Sequence, residues 1–412
     1  MPGGGGYTPG GGGVGTGGAA GSTAASCPGQ NLPPVPDDPS ARGPWDVGVK
    51  TVTVGRLTIE VVYPAQAGST AGLPEATYDI RAWLPADQRA KVPDSHSPAV
   101  GPIGGHLYRD VPIDGSHGPY PVVIAIHGTA SFRIASGSTG VQWASRGFVV
   151  LSADYPGLFL TDQLCATADC KGQSQSCGTV GTQDIPGDVA AQITALNNPS
   201  GDIAFLAGHI DMTRVGITGH SQGACVAAGL SNNTNVPNVQ IVVPMAGSLS
   251  VNPSSSLKAL MFIAGIQDTV IGYNAAQIGN LVCSPVAPQG PASSDTGAYQ
   301  ASPGPPGVTK RLVGIQGGGH LTVTDLCQTN AQGKNAIQEA QADSVCGISQ
   351  AAIIGLPALF DCGTVSLNDG VHAVNYASTA ALEETLHCAD RTAQFANMRT
   401  AVPVIGDFQH SP

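Results

Sequence analysis

Six short apolar runs punctuate the middle of this chain, separated by polar or glycine-rich stretches. They fall at residues 122–126, 148–152, 215–218, 240–243, 260–264 and 311–315. The runs are nearly continuous rather than alternating, which suits strands of a parallel sheet covered on both faces. Stretches with helical spacing lie between them, as at 137–146 and 188–196. Ahead of these, residues 51–54 and 57–63 alternate around Gly55-Arg56 and predict a β-hairpin. Residues 78–84 predict a further strand, and 85–118, rich in Pro, Gly and His, an irregular loop. The expected fold class is α/β: a mostly parallel, doubly wound sheet with antiparallel strands at its N-terminal side.

Two long insertions interrupt this rhythm, at 158–183 and 283–309. Segments of that length in a compact domain are usually functional or disordered. Both are expected to border a ligand crevice at the carboxyl ends of the strands. Residues 1–42 are different again. Twelve glycines fall within the first 21 positions, and Pro33-Pro34-Val35-Pro36 follows. Such a segment cannot bury a core and predicts a flexible tether. It is similar to segments between a lipid anchor and an exported domain; a disordered tail of no function is the other expectation. The folded domain is then 43–412, ending in a helical, cysteine-rich region at 321–412.

Composition narrows the function. Charged residues make up 11% of the chain, and 17 basic against 28 acidic residues give a net charge of -11. No basic block exists, so nucleic acid is excluded as an expected partner. No run of about 20 apolar residues predicts a transmembrane segment. Ten cysteines are present without a Cys-x-x-Cys pair, which favours disulfides over zinc. Bridges are expected within 158–183 and within 327–388, and Cys225 is expected as a free buried thiol. This pattern predicts a secreted, periplasmic or cell-surface protein.

The chemistry centres on Gly219-His220-Ser221-Gln222-Gly223. This Gly-X-Ser-X-Gly follows an apolar run and precedes the small residues 224–228, predicting strand, sharp turn and helix. Such a turn strains the serine and exposes its hydroxyl, and glycines are needed where side chains would collide. A base is offered by His320, on the loop Gly317-Gly318-Gly319 that leaves the last apolar run. An orienting acid is offered by Asp268, just beyond the run 260–264. The rival Asp295 lies in a Ser/Gly/Pro-rich segment with no strand to hold it, and Asp325 follows the histidine, in the wrong order. Oxyanion donors are expected from the backbone N–H groups of Gln222 and Thr129, the latter in His127-Gly128-Thr129. No phosphate loop or metal cluster is evident, and this chemistry requires no cofactor.

With these residues the chain resembles the α/β-hydrolase superfamily over most of 45–325. Residues 47–51, 57–65, 118–123, 127–128 and 145–150 are similar to bacterial platelet-activating-factor acetylhydrolases and dienelactone-hydrolase-like proteins. Secreted lipases, cutinases and polyester hydrolases share part of the pattern. The resemblance implies an α/β-hydrolase fold, ester hydrolysis, and a Ser221, Asp268 and His320 triad acting on a small-molecule or polymeric ester. Dienelactone hydrolases proper use a cysteine where Ser221 stands. A phospholipase A2-like acetylhydrolase and an inactive hydrolase-fold binding protein are the alternatives.

Overall fold

The computed structural model describes residues 27–97, 100–274, 276–277, 294–348 and 361–411. One sheet is built from β1 (Val47–Val54), β2 (Leu57–Pro64), β3 (Leu107–Arg109), β4 (Tyr120–Ile126), β5 (Val149–Asp154), β6 (Ile210–His220), β7 (Val239–Met245), β8 (Ala259–Gly265), β9 (Thr309–Ile315) and β10 (Ile405–Ser411). Their order is β10-β9-β8-β7-β6-β4-β5-β2-β1-β3. Neighbours from β5 through β4, β6, β7 and β8 to β9 run parallel. The pairs β1–β2, β2–β5 and β9–β10 are antiparallel. The molecule is thus α/β with a mostly parallel ten-stranded sheet.

The described helices are α1 (Gly137–Ser145), α2 (Leu160–Ala166), α3 (Ala168–Gln173), α4 (Ile185–Asn197), α5 (Gln222–Leu230), α6 (Asp295–Ala301), α7 (Ala336–Ala342), α8 (Leu367–Leu386), α9 (Thr392–Ala396) and α10 (Met398–Ala401). They cover both faces of the sheet. The two-residue period of a strand sends alternate side chains of β4 to opposite cores. Val122, Ile124 and Ile126 join Val189 of α4 and Val226 of α5. Val123 joins Val141 of α1 and Val374 of α8. Burial on both sides is why these strands read as continuous apolar runs.

Several expectations are corrected. Residues 78–84 are not a strand: Tyr78 makes an isolated bridge to Val100, and a 3-10 turn, Ile80–Trp83, follows. The Asp79 side chain accepts the Arg81 N–H and so diverts the backbone from a ladder. The chain ends in a strand, β10, where a helical region was expected. Residues 27–42, expected within the flexible tether, are held to the fold. Cys27 is bridged to Cys388. The buried guanidinium of Arg146 donates to the carbonyls of Pro36 (2.8 Å), Asp38 (3.1 Å) and Ala41 (2.6 Å). It also pairs with Glu383 at 2.6 Å, which Arg391 meets at 2.7 Å.

Disulfides join Cys165 to Cys177 and Cys327 to Cys362, within the expected segments. A third, Cys170–Cys346, ties the two segments together. Cys225 is disulfide-bonded, not a free thiol. Its burial could not separate the two, because thiol and disulfide sulfur are both apolar. Among the described residues no helix is long and apolar enough to cross a membrane.

Candidate active site

Strand β6 delivers Ser221 to the carboxyl edge of the sheet, and α5 starts at the next residue. Ser221 has φ 55° and ψ -121°, a region non-glycine residues avoid. Helix α5 begins by bonding back to it, with Ala224 N–H donating to the Ser221 carbonyl at 2.9 Å. The two flanking glycines have steric reasons. A Cβ on Gly219 would overlap the Gly223 carbonyl, and one on Gly223 would overlap the Ile126 carbonyl. The turn is therefore wedged against the end of β4, and strain at Ser221 is maintained by packing on both sides.

His320 and Asp268 come together from β9 and β8. The sequence separates them by 52 positions, and parallel pairing of β8 with β9 brings their C-terminal loops side by side. Nδ1 of His320 lies 2.8 Å from Oδ2 of Asp268, with both side chains buried. Oδ1 of Asp268 accepts the N–H groups of Val270 (2.7 Å) and Ile271 (3.1 Å). Burial pushes the Asp268 carboxyl upward, but the His320 ring and these donors outweigh it and hold the group below its ordinary value. A charged acceptor fixes Nδ1 as the protonated nitrogen. That leaves Nε2 of His320 as the free acceptor, buried and without a hydrogen-bond partner. Ser221 and His320 line one cavity of about 230 Å³.

The turn after β4 lies against the serine. A Cβ on Gly128 would come 3.0 Å from the Ser221 Cβ. His127 holds that turn in place. Its Nδ1 donates to the Gly128 carbonyl at 2.7 Å, while Nε2 accepts the Tyr155 N–H at 3.3 Å. Burial lowers its pKa, which keeps the ring neutral so that one nitrogen can donate and the other accept. Because the peptide is planar, fixing the Gly128 carbonyl also fixes the Thr129 N–H on its opposite side. The Gln222 N–H is at the start of α5, where the first turn leaves backbone donors unused by the helix. The predicted residues Ser221, Asp268, His320, Thr129 and Gln222 are thus gathered where β4, β6, β8 and β9 end.

Two further residues lie beside this group. His220 Nε2 donates to the His320 carbonyl at 3.0 Å, and the two rings lie 4.8 Å apart. Burial, with the adjacent His320, pulls its pKa down to about 3, so it is neutral. No signal marks it, since the position inside Gly-X-Ser-X-Gly is open to any residue. Asp295 was set aside as unsupported, but it opens α6, whose N-cap is Ser294. It is buried, and its Oδ1 accepts the Gly247 N–H at 2.8 Å. Burial and the nearby Asp268 raise its pKa well above the ordinary range. Asp268, not Asp295, meets His320.

The cavity walls also differ from expectation. Of residues 158–183 only Leu160 lines it, and none of the described residues of 283–309 does. Its walls come instead from 78–102, from 125–143 and from 320–348. Residues 278–293 lie outside the described residues. The sequence matches no protein-family model and no curated protein.

Proposed function

We propose that this chain is a secreted serine carboxylesterase of the α/β-hydrolase type. The observation that carries the reading is the Asp268–His320 contact, which leaves Nε2 of His320 without a hydrogen-bond partner, with His320 lining the same cavity as a strained Ser221. In this mechanism Ser221 Oγ attacks the ester carbonyl carbon while His320 Nε2 takes its proton. The developing oxyanion accepts the N–H groups of Thr129 and Gln222. Collapse expels the alkoxide, which leaves as the alcohol with the proton from His320, and an acyl-serine remains. Water, deprotonated by the same imidazole, attacks that ester and releases the acid. Asp268 holds the tautomer and stabilises the imidazolium throughout. Four disulfides among the described residues support an oxidising compartment.

An activity-based fluorophosphonate tests the reading directly. Labelling should map to Ser221, and Ser221→Ala should lose both labelling and p-nitrophenyl ester hydrolysis, by roughly a millionfold in turnover. A folded wild-type protein that neither reacts with the phosphonate nor cleaves any ester is an inactive binding protein.

A further inference from the structure

Four strands lie side by side beneath the cavity. Thr218 of β6 is level with Ala125 of β4, Ala125 with Ser152 of β5, and Ser152 with Glu60 of β2. All four residues line the cavity. One row lower, the paired Val150 and Val62 line it as well. Adjacent strands lie about 4.8 Å apart, so this floor spans three spacings, about 14 Å, from the nucleophile strand to β2. The roof is α1, which contributes Thr139, Gly140, Val141 and Trp143.

Small residues keep floor and roof apart. A Cβ on Gly140 would lie 3.9 Å from Val150 Cγ1, ordinary contact distance, so any side chain larger than a methyl there would close the space over Val150. Ala125 is only partly buried in the middle of the sheet, because its methyl faces this space. The far end carries charge, but that charge is already matched. Glu60 accepts from Arg133, Arg109 and Tyr78, each at 3.1 Å, and from Thr51 at 3.0 Å. Arg133 also pairs with Asp154. The recess therefore suits a linear, uncharged, apolar chain whose reacting end is at Ser221.

We infer that this recess holds the acyl chain of the substrate, and that the substrates are esters of medium- or long-chain apolar acids. The inference rests on the esterase reading given above. Each methylene buried along the floor favours binding roughly fourfold, so octanoate should be preferred strongly over acetate. Filling the recess should reverse this. In Gly140→Leu, from the roof, and Ala125→Leu, from the floor, the octanoate-to-acetate ratio of kcat/KM should fall at least tenfold. Gly140→Ala, whose methyl fits at ordinary contact distance, should lower it less. Folded Leu variants with an unchanged ratio overturn the inference. Calorimetric titration of decanoate gives a reading independent of catalysis. If no ester is cleaved, decanoate binding to the wild type that is lost in the Leu variants upholds the recess while the esterase reading fails. Absence of decanoate binding together with a wild-type preference for acetate sinks the recess.

Discussion

At the scale of single residues, the site depends on side chains that do not themselves react. His127 is the clearest case. Its Nδ1 donates to the Gly128 carbonyl, and its acceptor nitrogen is occupied by the Tyr155 N–H. On the proposed esterase reading it would act on the oxyanion through the Gly128–Thr129 peptide. His127→Ala should release that peptide and lower kcat roughly ten- to a hundredfold, less than the roughly hundred- to thousandfold loss on removing an oxyanion donor outright. KM should move little, because the Thr129 donor matters most when charge develops on the substrate oxygen. A steady-state comparison on one ester checks this; a rise in KM at constant kcat would mean that His127 shapes the pocket instead. The sequence made the candidate residues legible, because Ser221, Asp268 and His320 each follow an apolar run that became a parallel strand. It hid His127's role and His220 altogether. Both act through backbone carbonyls, and which carbonyl a side chain reaches depends on the packing of distant strands rather than on local pattern.

At the scale of elements, the six apolar runs all became central strands, since burial on both faces leaves a signal that survives in composition. The edges did not. β10 is half-exposed and mixed in character (Ile405, Asp407, Phe408, His410), and β3 has only three residues. Neither shows a period long enough to separate it from a loop. The N-terminal strap was hidden for another reason: its partners, Arg146 and Gln142 foremost, lie about 100 or more positions away. Arg146 is fully buried, and it serves three strap carbonyls and Glu383 at once. Arg146→Ala strips the Pro36 carbonyl and one side of Glu383 of their donor, while the Asp38 carbonyl keeps the Ala41 N–H, the Ala41 carbonyl keeps Gln142, and Glu383 keeps Arg391. Removing one partner from a buried ion pair costs about 3–5 kcal/mol. Urea unfolding should show a loss in that range, and limited proteolysis should find new cleavage within 28–42, because the Cys27–Cys388 bridge still retains the end. A loss below about 1 kcal/mol, well under what a broken buried pair costs, with the strap still protected, would mean that the disulfide and the remaining contacts, such as Gln142 to Pro39 and the Asn31–Gly118 bridge, hold the segment without Arg146.

At the scale of the whole molecule, stability is tied to pH by buried groups of opposite tendency. The His387 ring stacks on Phe148 at 4.1 Å, and its Nε2 meets the Gly147 carbonyl at 3.2 Å. Burial, opposed by that bond and aided by the charges of Arg146, Arg214 and Arg391, pulls its pKa down to about 3. An unfolded histidine titrates near 6.5, so between about 6.5 and 3 the unfolded chain binds a proton that the folded chain refuses. The stability His387 contributes is thus complete above about pH 6.5 and is lost as pH falls, by on the order of 5 kcal/mol at the limit. Asp325 works in the other direction. It lines the cavity, partly buried, and accepts the Ser138 N–H at 2.7 Å, and burial pushes its carboxyl up to about 6 against that bond. Between about 3.8 and 6 the folded chain keeps a proton that the unfolded chain has released, so this contribution is lost as pH rises, on the order of 3 kcal/mol. Asp325→Asn removes the opposing contribution and retains a side-chain oxygen to accept the α1 donor. Its stability should therefore fall more steeply than wild type between about pH 6 and 4, and it should exceed wild type at about pH 7.5. His387→Gln removes a group that refuses protons, so its curve should be shallower over the same span. The other shifted groups, Asp295 and His127 among them, are common to all three proteins and drop out of the comparison. Unfolding free energies from urea titrations at several pH values decide it: the differences from wild type must slope in opposite directions, and three parallel curves would show that neither group is linked to folding.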